Sequence, residues 1–180
     1  MKKVFLLTAI AGLFAFSSVK AQDVAMSGPK LGIGVEFGFP MGDFGDAVDF
    51  GVGGSLLYQH PIANKLNFTA NAGYLNFQGK DVTIGGTTFD GGSLGVIPLK
   101  AGLRYFIAEN IFVNGELGAV FGTEEGFGTR FAYSPGVGVE FPVAYKSTVE
   151  LGARYEGWSK GDGLVTPQTI GLRLAWNFGL

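Results

Sequence analysis

The chain has 180 residues, no cysteine and a formal net charge of −2. This length fits one domain, the lack of cysteine excludes disulfides and thiol chemistry, and the near-neutral charge makes nucleic acid an unfavoured partner. Glycine is abundant, at 31 residues, and aromatic residues make up 14% of the chain. Beyond residue 21 no apolar run reaches the length of a membrane-spanning helix, so alternating strands are favoured over a helical bundle.

The first 21 residues have the three parts of a secretory signal peptide. Lys2 and Lys3 form a basic start, residues 4–16 are an apolar run too short to span a bilayer, and Ala21 ends a small-residue cleavage site. We therefore predict a signal peptide over residues 1–21, followed by a short polar lead over residues 22–29.

From residue 31 onward, large apolar residues alternate with small or polar ones. In the last segment Ile170, Leu172 and Leu174 alternate with Gly171 and Arg173. A period of two is a β-strand with two unlike faces. The alternation recurs eight times and predicts strands of about ten residues each: Leu31–Phe39, Phe50–His60, Leu66–Phe77, Leu94–Phe106, Ile111–Phe121, Phe131–Phe141, Thr148–Trp158 and Thr169–Leu180.

The connections between these strands alternate in length. The first, third, fifth and seventh are long, while the second, fourth and sixth are tight. The first is the acidic loop Pro40–Asp49, and the third contains a predicted hairpin, Val82–Ile84 and Thr87–Phe89 around Gly85-Gly86. An even number of strands with alternating long and short connections is typical of outer-membrane barrels. We predict an all-β fold, an eight-stranded antiparallel up-and-down transmembrane β-barrel over residues 30–180, with both termini in the periplasm.

Aromatic residues on the outward faces are predicted to form two belts, one at each membrane interface. The outer belt comprises Phe39, Phe50, Tyr74, Phe121, Phe131, Tyr133, Tyr155 and Trp158, and the inner belt Tyr58, Phe68, Tyr105, Phe141, Trp176 and Phe178.

Pro98 and Pro135 interrupt predicted strands. Because proline removes a ladder donor, we expect bulges there or pairing that begins a residue later.

The inward faces carry charged residues of both signs. A barrel of eight strands is just wide enough to be filled by side chains, and buried charges must be paired. The favoured interpretation is a lumen that is plugged by side chains joined in an ion-pair network. The alternative is a narrow pore, for which the inward glycines could leave room. The predicted network comprises Glu36, Lys100, Arg104, Glu116, Glu140, Glu150, Arg154, Glu156 and Arg173, five acids and four bases.

Little in the sequence points to catalysis or to a metal site. His60 is the only histidine and precedes a tight turn at the periplasmic end, where no nucleophile accompanies it. Asp43, Asp46 and Asp49 could gather a cation but lack the ligand order of a calcium-binding loop. We therefore predict no catalytic residue, no cofactor and no metal.

These features resemble the small eight-stranded outer-membrane barrels of the OmpA transmembrane, OmpX and OmpW-like group, often called porin-family or outer-membrane β-barrel domains. The resemblance covers Lys30–Leu180. Its sharpest motif is the C-terminal strand Arg173–Leu180, which has Ala175 where that group usually has glycine and Leu180 where it usually has phenylalanine. The resemblance implies insertion by the barrel-assembly machinery and contact with outer-membrane lipid and lipopolysaccharide.

The function we expect is a non-enzymatic barrel of the bacterial outer membrane with a structural or surface-interaction role. Contacts with an extracellular ligand are expected at four loops: Asp43–Asp49, Lys80–Asp90, Thr123–Arg130 and Ser159–Thr166. One alternative is a narrow porin-like channel for ions, small solutes or, as in OmpW-like proteins, apolar molecules. A second is an outer-leaflet lipid enzyme that would depend on His60.

Overall fold

Ten strands and one short helix make up the computed structural model, which describes residues 28–124, 126–159 and 166–180. The predicted signal peptide, residues 22–27 of the lead and residues 160–165 of the last long loop lie outside the described residues. The elements are β1 (Lys30–Met41), α1 (Gly42–Ala47), β2 (Val48–Ala63), β3 (Leu66–Gly79), β4 (Val82–Ile84), β5 (Thr87–Phe89), β6 (Ser93–Phe106), β7 (Ile111–Gly122), β8 (Thr129–Ala144), β9 (Ser147–Ser159) and β10 (Gln168–Gly179).

Eight of the strands close into one antiparallel barrel in the order β1-β10-β9-β8-β7-β6-β3-β2. β1 pairs with β10 over its whole length, from Lys30 opposite Gly179 to Met41 opposite Gln168. β4 and β5 form a separate two-stranded hairpin. The predicted fold class, eight barrel strands and a hairpin in the third connection, is confirmed. Closure leaves the barrel without a free edge, so each of its eight strands has two partners.

The two ends of the barrel differ. The start of β1, the end of β10 and the tight turns that join β2 to β3, β6 to β7 and β8 to β9 lie at one end, here named the termini end. The helix α1, the β4–β5 hairpin and residues 123–124 and 126–128 of the β7–β8 connection lie at the other end, named the loop end. Among the described residues, no helix is long and apolar enough to cross a membrane.

The structure corrects two expectations about the backbone. Residues 42–47 of the predicted first loop form helix α1. The bulges expected at Pro98 and Pro135 are wrong, because each proline keeps its pair with β7 and the register on its other side is unchanged across a short gap. Register shifts follow Val48, Pro61 and Pro142 instead, near the strand ends.

Candidate functional site

The inward faces of the strands fill the barrel with charged side chains over most of its length. Alternation along the strands turns every second residue inward, and in β10 this buries Gly171, Arg173, Ala175 and Asn177 while the residues between them are exposed. All nine residues of the predicted network have inward, mostly buried side chains, from Glu36 at 1% exposure to Arg154, whose side chain is 11% exposed.

These charges form one continuous chain in which every neighbour has the opposite sign. Each link joins a nitrogen and a carboxylate oxygen that lie between 2.5 and 3.7 Å apart. The links run through Lys30, Glu140, Arg104, Glu150, Arg173, Glu36, Arg154, Glu156, Lys100 and Glu116, hereafter the charge chain. Five bases therefore meet five acids, and each internal member has two partners of opposite charge.

Sequence reasoning missed Lys30, which completes the balance. Its Nζ lies 2.7 Å from Glu140 Oε2, and the residue is 7% exposed. The first strand was predicted to begin at Leu31, one residue too late. Lys30 has the same parity as Gly32 and Glu36, and that parity was the signal that it faces inward.

The centre of the charge chain has the strongest geometry. Arg104 holds Glu150 with two parallel contacts, from Nη1 to Oε2 at 2.8 Å and from Nη2 to Oε1 at 3.1 Å. The guanidinium also lies over the Phe112 ring, 3.7 Å from its centroid. Such bidentate pairs fix orientation as well as charge, so this part of the lumen has a defined geometry. Neutral polar side chains add further hydrogen bonds, as Asn177 does by donating to both Glu140 and Glu150, although Nε of Arg104 has no hydrogen-bond partner.

The lumen changes character at the loop end, where it is filled by apolar side chains. Phe44 from α1, Phe77 from β3 and Trp158 from β9 meet edge to face, with ring centroids 5.5 to 5.9 Å apart. Phe127 makes a further edge-to-face contact with Trp158, with ring centroids 6.0 Å apart. We name this cluster the apolar cap: Phe44, Val48, Leu75, Phe77, Val96, Val120, Ala132 and Trp158, with Leu94 and Phe127 against it.

Trp158 corrects a prediction, since it was assigned to the outer aromatic belt. It is 2% exposed and lies inside the barrel, where its Nε1 donates to Glu156 Oε1 at 2.7 Å. Trp158 has the parity of Glu150, Arg154 and Glu156, so alternation turns it inward with them. Phe77, Phe112 and the Phe44 of α1 were also not recognised as lumen residues.

The other aromatic residues assigned to the belts are exposed or half-buried on the outer wall. Near the loop end these are Phe39, Phe50, Tyr74, Phe121, Phe131, Tyr133 and Tyr155, and near the termini end Tyr58, Phe68, Tyr105, Phe141, Trp176 and Phe178. Their arrangement as membrane-interface belts remains a prediction.

The other candidate residues do not assemble a reactive centre. His60 is exposed near the termini end of β2, stacked on Tyr58 with its Nδ1 3.2 Å from the phenol oxygen. Among the described residues no group of three acidic, histidine or cysteine side chains is arranged to hold a metal, and this includes Asp43, Asp46 and Asp49.

Comparison with known proteins identifies the same architecture. A family model described as outer membrane protein beta-barrel domain matches residues 8–178. The solved structure of Neisserial surface protein A is 15% identical, with a TM-score of 0.61, over 86% of this chain and 98% of that one. OprG of Pseudomonas aeruginosa is 13% identical, with a TM-score of 0.58, over 86% and 96%. Ail of Yersinia pestis, solved with the heparin analogue sucrose octasulfate, is 20% identical, with a TM-score of 0.54, over 84% and 99%. A search of curated proteins found no match.

Proposed function

We propose a function from the premise that this chain belongs to the outer membrane protein beta-barrel domain family: it is a closed, non-enzymatic barrel of the bacterial outer membrane whose loop end is an interaction surface. In this proposal the termini end faces the periplasm, because barrels of this kind have their short turns on that side. Outer-membrane lipid and lipopolysaccharide surround the wall, and the barrel-assembly machinery inserts the chain.

The closed state is supported by the side chains that fill the lumen, which are charged along most of the barrel and apolar at the loop end. The charge chain occupies the barrel from Lys30 upward, and the apolar cap follows it at the loop end. A cavity of about 20 Å³ remains beside Arg104, Asn71 and Asn114. That volume suits about one water molecule, so this cavity has no room for a larger solute.

The inward glycines also favour a closed lumen over a pore, because long side chains occupy the space they leave. A Cβ at Gly34 would lie 3.0 Å from Nε of Arg173, and one at Gly171 would lie 3.1 Å from Cγ of Arg154. At the loop end, a Cβ at Gly38 would come within 2.9 Å of the Phe77 ring. The glycines therefore accommodate the plug.

The loop end has an ordered surface, formed by α1 and the β4–β5 hairpin, with an excess of negative charge. Helix α1 is anchored by Phe44, and the β4–β5 hairpin is held by paired backbone and by the Thr83–Thr88 hydroxyl contact at 3.0 Å. In residues 42–49, 80–92, 123–124 and 126–130, six carboxylates outnumber two bases: Asp43, Asp46, Asp49, Asp81, Asp90 and Glu124 against Lys80 and Arg130. This surface suits a basic partner, unlike the polyanion in the Ail structure.

Single-channel recording of the purified barrel in planar bilayers tests the closed state. We expect no stable conductance steps, because neither the charge chain nor the apolar cap leaves an ion path. Steps in the native protein whose size changes in Arg104→Gln or Glu116→Gln would instead establish the narrow channel.

Titration with charged probes tests the interaction surface. An oligolysine peptide is expected to bind the native barrel and to bind the variant Asp43→Asn/Asp46→Asn/Asp49→Asn more weakly, whereas sucrose octasulfate is expected not to bind. Equal binding of oligolysine to both proteins would contradict a role for this acidic loop. The lipid-enzyme alternative predicts a lipid A mass change that is lost in His60→Ala, and we expect none.

A further inference from the structure

Two tight turns at the termini end repeat the same sequence. Residues 61–65 read Pro-Ile-Ala-Asn-Lys and residues 142–146 read Pro-Val-Ala-Tyr-Lys. Both follow the pattern of proline, a β-branched aliphatic residue, alanine, any residue and lysine. The barrel function proposed above uses neither turn.

The two turns also have the same backbone. A register shift lies between Pro61 and Ala63 in one and between Pro142 and Ala144 in the other. Each ends on a lysine with positive φ, +61° at Lys65 and +52° at Lys146.

Each of these lysines also links its turn to the neighbouring strand through its carbonyl. The Lys65 carbonyl accepts from the amide of Phe106 at 2.8 Å. The Lys146 carbonyl accepts from the amide of Gly179 at 2.7 Å.

The strand order sets these turns on opposite sides of the barrel. Two strands separate the β2–β3 hairpin from the β8–β9 hairpin in either direction around the closed sheet, β1 and β10 one way and β6 and β7 the other. The third turn at this end, residues 107–110, has Ile-Ala-Glu-Asn and lacks the lysine. The repeat therefore gives the termini end two equivalent cationic points across its diameter.

The backbone role of Lys65 and Lys146 does not require lysine. Their carbonyls make the contact, and the left-handed conformation that directs them is adopted at least cost by glycine. A lysine at both positions is strained relative to glycine, so the backbone alone does not explain its presence twice. The ammonium groups are the feature that remains to be explained.

The surroundings of the two lysines combine exposed apolar side chains with positive charge. Ile62 is 54% exposed and Val143 is 49% exposed, extending the apolar outer wall to the rim, and Tyr145 is 82% exposed. Among the described residues, no carboxylate lies within 4 Å of the ammonium of Lys65 or Lys146. In each turn an aliphatic side chain lies beside a lysine. This combination suits the membrane interface, where the aliphatic group can contact acyl chains while the long lysine side chain reaches the phosphate groups.

We propose that the two turns are binding points for anionic phospholipid headgroups, with Lys65 and Lys146 on the phosphates and Ile62 and Val143 among the adjoining acyl chains. The inference rests on the proposed orientation, in which this end meets the phospholipid leaflet on the periplasmic side. Two points across the diameter hold the barrel upright in that leaflet.

Native mass spectrometry of the detergent-purified full barrel tests this with short-chain phosphatidylglycerol and phosphatidylcholine as probes. The native protein is expected to retain phosphatidylglycerol preferentially, and Lys65→Gly/Lys146→Gly is expected to lose about fivefold in that affinity per lysine removed. The glycine variants relieve backbone strain, so they are expected to fold at least as well. Lys80→Gln, at the loop end, serves as the matched control and should retain the preference.

An unchanged preference in the double glycine variant would overturn the proposal and assign the lysines to the turn alone. Displacement of phosphatidylglycerol by inorganic phosphate would also overturn it, in favour of a free-anion site. Both results are separable from the closed-barrel function, since conductance steps would refute that function without altering the lipid preference.

Discussion

The apolar cap and the charge chain occupy the same lumen and follow the same inward parity, yet their cohesion has different origins. The cap has aromatic rings in edge-to-face contact, such as Phe77 and Trp158 at 5.9 Å, and is stabilised by area burial and dispersion. The charge chain has nearly buried ions, whose desolvation is offset only while each keeps its partners. Loss of a cap residue is therefore expected to act locally, whereas loss of a charge inside the charge chain affects both of its neighbours.

The largest expected effect comes from breaking the charge chain at its centre. Glu150→Gln leaves Arg104 to share Glu140 and Arg173 to share Glu36, and we expect a loss of about 3–5 kcal/mol in the free energy of unfolding. Urea unfolding in phospholipid vesicles, followed by tryptophan fluorescence, measures it.

The control for this variant is the exposed Asp49→Asn. Its carboxylate lies 4.0 Å from Lys80 in an open setting, so a loss of only about 0–1 kcal/mol is expected. Equal losses in Glu150→Gln and Asp49→Asn would show that the charge chain does not stabilise the barrel.

A smaller effect is expected in the apolar cap. Phe44→Ala removes the side chain that holds α1 on Phe77 and Trp158, and because Phe44 retains 9% exposure we expect about 2–3 kcal/mol, below the full value for a buried phenylalanine. Hydrogen exchange should show that the amides of residues 42–47 lose protection while the barrel strands keep theirs. Loss of protection throughout the strands would mean that the cap and the charge chain unfold together.

The smallest effect is expected where the two regions meet. Trp158→Phe keeps a ring in the cap but removes the Nε1 donor to Glu156, which still has Lys100 and Arg154. We expect about 1.5 kcal/mol, the low end for a hydrogen bond to a charged group. Trp176→Phe on the exposed wall is the matched control, and an equal loss there would remove the assigned link between the regions.

Sequence periodicity predicted much of the barrel because a pleated strand alternates its faces regardless of its neighbours. Eight strands, the β4–β5 hairpin and the inward direction of Glu36, Arg104 and Arg173 follow from it. It failed at strand ends, where one residue decides the assignment, as with Lys30. Trp158 was misassigned to the outer belt because aromatic residues are typical of membrane interfaces, whereas its parity with Glu156 turns it inward.

The candidate site was predictable as a set of residues but not as an ordered chain. Glu140 contacts Lys30, which is 110 positions away in sequence, and Arg104, which is 36 positions away. No local pattern indicates which base meets which acid. Helix α1 was missed for a related reason, since its burial depends on Phe77 and Trp158 from distant strands.

The amino-acid order alone settles which side chains face inward and outward along each strand, because the period of two is a property of the local backbone. It also determined the repeat of Pro-aliphatic-Ala-x-Lys at two turns. Three features depend on the folded chain: the order of charges in the lumen, the apolar cap and the placement of the two turns on opposite sides of the barrel. They arise because strand order and closure bring together residues that are distant along the chain.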